Sequence, residues 1–437
     1  MQISFIPTYN KPYYIELHDY FIKQILDGKI KKSDHMPSIR ELSKMLQVSR
    51  TTIENCYDLL LSEGYIISKP RSGYFCDLPD GYIKKRKVNK EIKQLSTEKN
   101  YPYTFSSRQV DYQAFDLKLW QRYTRAVMDD ASLMSSYGQP FGEQNLKDAL
   151  ENYLYMQRGV QCESENIVIG AGIQPLLFLL CGLLKNKVCK IAFLKPVFLQ
   201  ASKVFEDCHH KIIAINHLDE LNELEIDFLY LTPSTLNLNM KDRFSLLKLL
   251  TEKDIFLIED DYNGEMHYLS PGYSSFQGLC NDDRVIYLQS FSKLLLPSIR
   301  LACMCLPNIF IESLNNRAIY YNQTASKLEQ YVFCFYLQEG HLERRIKRLR
   351  RQSVKKSEIL KHFIENELKV KDYIFNEYHQ LYIVPYCLND DFYSEAKKIG
   401  IAFEKESMEA LYFSFFSIDE NELPNILEQI KKLVVKD

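Results

Sequence analysis

The sequence predicts an α/β fold in two parts: a small helical N-terminal domain that ends in a short β pattern, and a large domain built on a parallel sheet. Three observations carry this. Residues 1–78 show helical periodicity and then two short β-like stretches; residues 79–102 are polar; from Tyr103 to Asp437 short apolar runs alternate with amphipathic helical patterns. At about 100–200 residues per domain, 437 residues suit two or three domains.

Composition narrows the class. The chain is 46% hydrophobic and 26% charged with a net charge of −2, as in an ordinary soluble globular protein. Any surface suited to nucleic acid must therefore be local. Eleven cysteines, scattered singly apart from Cys303 and Cys305, show no repeated metal-ligand spacing and point to free thiols in a reducing cytoplasm. The start, MQISFIPTYNKPYY, lacks a basic stretch followed by an apolar core, and the run Pro175–Leu184 is too short to span a bilayer. A cytoplasmic protein with no membrane partner and no metal is expected.

The first elements lie between Met36 and Phe75, MPSIRELSKMLQVSRTTIENCYDLLLSEGYIISKPRSGYF. Ser38, after Pro37, can cap a helix whose apolar positions are Leu42, Met45 and Leu46. A turn at Gln47–Val48 follows. Ser49 can cap a second helix that buries Ile53, Cys56, Tyr57, Leu60 and Leu61, and Gly64 ends it. Arg50, Thr51, Thr52 and Asn55 fall near the start of this second helix, the end that enters the major groove in a helix-turn-helix. YIISKPRSGYF then reads as a two-stranded wing with Lys69 and Arg71 at its tip.

The whole stretch resembles the GntR-type winged helix-turn-helix: P-S-x-R-E-L-S-x-x-L-x-V-S-R-x-T-I, then Y-x-x-L-x-x-E-G-Y-I, then G-Y-F. The resemblance implies DNA contacts from Arg40, Arg50 and Thr51, with Lys69, Arg71 and Gly73 at the wing and Ser38 and Ser49 donating to phosphates from the helix starts. Arg71-Ser72-Gly73 departs from the commoner G-x-G wing tip. Next comes KKRKVNKEIK (Lys84–Lys93), six basic residues against one acidic, which reads as a linker within 79–102.

In the large domain IVIGA, KIAFL, IDFLYL, DIFLIED and RVIYLQS are strand-like. The last leads into SFSKLLLPSIR (Ser290–Arg300). An amine held in an apolar site is nucleophilic toward an aldehyde, which makes Lys293 a Schiff-base candidate. Ser290, Ser292 and Arg300 can converge on one phosphate. That set suits pyridoxal 5′-phosphate (PLP), whose pyridine nitrogen also needs a carboxylate. FLIEDDY (Phe256–Tyr262) supplies Asp260 for the nitrogen and Tyr262 for the phenolic oxygen.

From Tyr103 onward the chain resembles a fold-type I aminotransferase, and joined to the winged helix it resembles the MocR/GabR/PdxR subgroup of GntR regulators. S-F-S-K-x-L-x-P-x-x-R and I-E-D-D-Y are both intact. The resemblance implies that Gly172, Ile173 and Gln174 of GAGIQP meet the phosphate, that Phe198 of KPVF lies over the cofactor ring, and that Tyr137 of SSYGQPFG reaches a neighbouring subunit, so that the chain is a homodimer with exchanged N-terminal domains. Two positions depart from the aminotransferases. Tyr412 of ALYFSFF stands where those enzymes hold the substrate carboxylate with arginine, and NLNM keeps Asn237 but loses the Pro-Gly of the usual Asn-Pro-Gly turn. A phenol cannot replace a bidentate guanidinium.

The expectation is therefore a transcription regulator on double-stranded operator DNA, not an enzyme, which senses PLP through an aldimine at Lys293 and controls vitamin B6 supply. The alternatives are a regulator answering to an amino compound as a PLP external aldimine, an active PLP-dependent aminotransferase, and a scaffold that binds no PLP.

Overall fold

A computed structural model describes the chain from Phe5 to Val434, except residues 8–10, 78–100, 108, 111–114, 185–186, 237, 270–271 and 390. The basic run Lys84–Lys93 and Asn237 thus lie outside the described residues. The chain divides into two compact units, Met1–Lys99 and Asn100–Asp437.

The first unit contains α1 (Tyr13–Leu26), α2 (Ile39–Leu46) and α3 (Arg50–Ser62), then a hairpin of β1 (Ile66–Lys69) and β2 (Gly73–Cys76). Leu17, Phe21, Ile25, Leu42, Ile53, Tyr57 and Leu60 form its core. Ser38 and Glu41 close a reciprocal capping box on α2: the Ser38 hydroxyl accepts from Glu41 N–H, and the Glu41 carboxylate accepts from Ser38 N–H. Gln47 ends α2 in the left-handed region at φ 55°. Met45 is exposed, because an eight-residue helix meets its core through Leu42 and Leu46 at i, i+4, and Met45 falls beside that stripe.

The second unit is an α/β fold. Its main sheet holds β4 (Ile167–Gly170), β5 (Lys190–Leu194), β6 (Lys211–Ile215), β7 (Phe228–Leu231), β8 (Phe256–Asp260), β9 (Val285–Ser290) and β10 (Ala302–Cys305) in the order β4-β10-β9-β8-β7-β5-β6. The sheet is not wholly parallel, as the alternating pattern had implied. β10 runs antiparallel to both neighbours. The segment between β9 and β10, residues 291–301, is too short for a crossover helix, so the chain must turn back. Alternate residues feed two cores. Ile167, Ile169, Tyr287, Cys303 and Cys305 enter one, and Val168, Ile286, Leu288 and Met304 the other.

A smaller lobe pairs β3 (Tyr103–Phe105) with β13 (Ile401–Phe403), and β12 (Leu381–Pro385) with β11 (Ile374–Asn376) and β14 (Ala410–Ser414). Phe105, Leu411 and Phe413 sit in its core. The register of the main sheet gathers the chemistry at one edge. Ala302 pairs with both Gly170 and Ser290, and Asp260 pairs with Leu288, so the C-terminal ends of β4, β8 and β9 lie side by side. Ligands of open α/β sheets bind at that edge.

Candidate functional site

Strand alternation sorts the three consecutive acids of I-E-D-D-Y. Glu259 and Asp261 face one side of the sheet and Asp260 the other. Glu259 accepts from the N–H groups of Phe276 (2.8 Å) and Gln277 (2.9 Å). Asp261 takes a bidentate pair from Arg158, Nε–Oδ2 2.6 Å and Nη2–Oδ1 3.1 Å, plus the Tyr287 hydroxyl at 2.7 Å. Asp260, almost fully buried, accepts from the Tyr230 hydroxyl at 2.6 Å. Burial pushes the Asp260 carboxyl up to about 6, with Tyr230 opposing the shift. A cation brought to Asp260 would therefore gain a charge-assisted hydrogen bond.

Lys293 follows β9 and is 7% exposed. Its Nζ is buried without a hydrogen-bond partner among the described residues, 4.9 Å from the centre of the Tyr262 ring and 5.2 Å from that of Phe416. An ammonium left like this costs free energy in isolation, and the arrangement suits an amine that becomes part of a larger group.

The oxyanion end is also assembled. The Ser290 and Ser292 hydroxyls are 3.2 Å apart. Gly172, at φ 100°, begins the helix Ile173–Leu183, whose first turn has no side-chain cap. A Cβ on Gly172 would stand 2.4 Å from Arg300 Nη2, so the guanidinium lies directly against that helix start. Backbone N–H groups, two hydroxyls and a guanidinium are the donor types that could cradle a phosphate. Ile173 turns its side chain into the core, while Gln174 is exposed. The Phe198 ring lies 6.4 Å from that of Tyr230 at an interplanar angle of 28°, on the Asp260 side of the sheet. PLP fits these residues: an unpartnered buried amine, a buried acid, an aromatic face and an anion cradle share one strand edge.

Tyr137 is 96% exposed and stands away from the chain's own core. Tyr412 lies under Lys405, whose Nζ is 4.4 Å from the ring centre.

Three neighbours escaped the sequence reading. Tyr230 is one hydroxyl in the buried run FLYL, and Arg158 lies about a hundred residues from Asp261. His379 has no surrounding pattern at all; its ring stands 5.4 Å from that of Tyr262 and its Nε2 is buried without a partner among the described residues. Burial and the Lys293 charge push its pKa down to about 4.

In the first unit Arg40, Ser49, Arg50, Thr51, Lys69 and Arg71 are exposed, and Ser38, Thr52 and Gly73 are half-buried. Arg40, Arg50 and Arg71 form no ion pair with a described residue. The Thr52 hydroxyl is 2.7 Å from that of Ser49, which also accepts from Thr52 N–H and so caps α3. At the wing Arg71 adopts φ 62° and Lys69 Nζ folds to 4.8 Å from the Phe75 ring centre.

Residues 14–76 match the family described as bacterial regulatory proteins, gntR family. Over 375 residues the chain is 34% identical to the uncharacterized HTH-type transcriptional regulator YdeL of Bacillus subtilis, covering 83% of this chain and 81% of that one. It is 25% identical over 372 residues to the probable rhizopine catabolism regulatory protein MocR of Rhizobium meliloti (78% and 74% covered). The chain belongs to the MocR/GabR/PdxR subgroup of GntR regulators. The pyridoxine biosynthesis regulator PdxR of Corynebacterium glutamicum is a further relative, 26% identical over 352 residues, with 77% of this chain and 75% of that one covered. Among solved structures, an archaeal alanine:glyoxylate aminotransferase superposes with a TM-score of 0.64 at 19% identity, covering 76% of this chain and 90% of that one. The likeness establishes the fold-type I aminotransferase fold of the second unit. This MocR-type chain is thus a transcription regulator with a winged helix-turn-helix and an aminotransferase-like domain. Among the described residues no helix is long and apolar enough to cross a membrane.

Proposed function

We propose that this MocR-type regulator holds PLP covalently on Lys293 and that occupancy of the site sets how its winged helices engage operator DNA. The observation that carries the reading is the buried Lys293 Nζ without a partner, beside an acid and an anion cradle. Bound there, PLP supplies an aldehyde carbon and an electron-withdrawing ring. Lys293 anchors it, Asp260 pairs with the pyridine nitrogen, and Tyr262 and Asn237 serve the phenolic oxygen side. Ser290, Ser292, Arg300 and the N–H groups following Gly172 hold the phosphate, and Phe198 covers the ring.

The division of labour runs 1–78 for DNA, 79–102 for the tether and 103–437 for sensing, in a cytoplasmic homodimer whose N-terminal domains are exchanged. The exposed Tyr137 supports a second copy covering it. A ligand can shift such a dimer only by binding its two states with different affinity. Sensing is favoured over turnover because Tyr412, under the exposed Lys405, gives no bidentate grip on a substrate carboxylate.

The signal has two readings. PLP itself would couple the regulator to vitamin B6 supply, the function that PdxR's name carries. Alternatively PLP is resident and a small amine is the signal. His379 favours this second reading, because none of the PLP-holding roles above calls on its unpartnered Nε2. Adding PLP to the purified chain tests the shared core. Wild type is expected to gain a visible absorbance band that Lys293→Ala lacks; no band, or an equal one in the variant, contradicts it.

A further inference from the structure

The polar atoms around Lys293 that PLP leaves unused form a second constellation. His379 N–H donates to Asn376 Oδ1 (2.9 Å), whose amide in turn donates to the Ser234 carbonyl (3.4 Å), so the histidine is tied to the main sheet's edge. Its ring and Lys293 Nζ lie against the same Tyr262 ring, at 5.4 Å and 4.9 Å from its centre. Ser414 ends β14 beside Leu381, and its buried Oγ also lacks a partner. Two residues on, Phe416 reaches Lys293. The surroundings are aromatic, and His379 Nε2 and Ser414 Oγ are among the buried polar atoms left without a partner among the described residues.

We propose that His379, with Ser414, forms a subsite for the hydroxyl end of a small amino alcohol whose amine end is directed at Lys293. The proposal rests on the PLP reading above and names the ligand class for the same site. Among the described residues the one charge acting on the His379 ring is that of Lys293, and burial with that charge keeps the imidazole neutral. A neutral ring offers one donor and one acceptor, which match a hydroxyl. With Lys293 engaged by PLP and Arg300 at the phosphate cradle, His379 presents a neutral hydrogen-bonding ring to a ligand and not a cation for a carboxylate. An alkyl end would leave the buried nitrogen unpaired, which is the stronger source of discrimination.

Matched amines separate these cases. PLP-loaded wild type is titrated with ethanolamine against propylamine, 3-amino-1-propanol against butylamine, and alanine as the carboxylate probe. Calorimetry and the shift of the visible band are the readouts. At least one amino alcohol should bind about tenfold or more tighter than its alkyl match and than alanine. His379→Phe should take up PLP like wild type and lose that preference, while His379→Gln keeps part of it. Should the larger ring prevent PLP uptake, His379→Ala decides by the same criterion. Alkyl amines or alanine binding wild type as well as the alcohols, or a preference that survives in the variants, overturns the proposal alone. Failure of wild type to take up PLP overturns the underlying reading and this one with it.

Discussion

Arg158 and Asp261 are both sealed from water, 5% and 0% exposed at their side chains, and neutralise one another beneath the site. Removing one partner leaves the other as an uncompensated buried charge. Arg158→Ala should destabilise the effector unit by about 3–5 kcal/mol, seen as an earlier denaturant midpoint for that unit in the full chain. Nearby carboxyls set a pH dependence. Burial raises Glu259 and Glu265 to about 7 and Asp260 to about 6. A carboxyl raised in the fold binds its proton more tightly there, so its stabilising contribution falls as pH climbs from its unfolded value to its folded one. His379 has the opposite history: its contribution is whole above the unfolded histidine value and is lost as pH falls toward about 4. The two trends oppose each other in acid, and only the carboxyls still act between about pH 6.5 and 7. Ligand-free protein should therefore melt at a lower temperature at pH 8 than at pH 6.5; an equal or higher melting point at pH 8 would contradict the buried-acid account.

In the proposed function two helix starts meet anions, and each can be broken separately. Gly172 combines a left-handed φ of 100° with the close approach of Arg300. Alanine there should cost about 1 kcal/mol or more in stability from backbone strain and push the guanidinium out of the cradle. PLP uptake by Gly172→Ala, measured by the same absorbance titration, should weaken far more than that strain alone requires. At the start of α3, Arg50 is exposed and forms no ion pair with a described residue, while Ser49 and Thr52 spend their hydroxyls on the cap. Arg50→Ala should lower affinity for duplexes selected from a random pool by the wild-type chain by about tenfold, with PLP uptake intact. Unchanged affinity would move the DNA contact away from α3. These two starts were legible in the sequence because capping residues and glycines act locally. β10 was not. Its ACMC is as apolar as a parallel core strand, and only the length of the Lys293 segment before it decides its direction.

At the scale of the molecule, the winged helix was readable, and the residues proposed to hold PLP could be picked out, because each set lies in short contiguous runs: Met36–Phe75 in one case, Phe256–Tyr262 and Ser290–Arg300 in the other. What stayed hidden depends on chain folding back over long separations. The Arg158–Asp261 pair, Tyr230 under Asp260 and His379 beside Lys293 join residues that no local pattern links. All of it converges on a single amine. Borohydride reduction of the PLP-treated full chain, followed by digestion and peptide mass analysis, reads that amine directly. The account predicts a pyridoxyl-phosphate label confined to the peptide carrying Lys293; a label spread over the exposed lysines, with Lys293 unmodified, would contradict it.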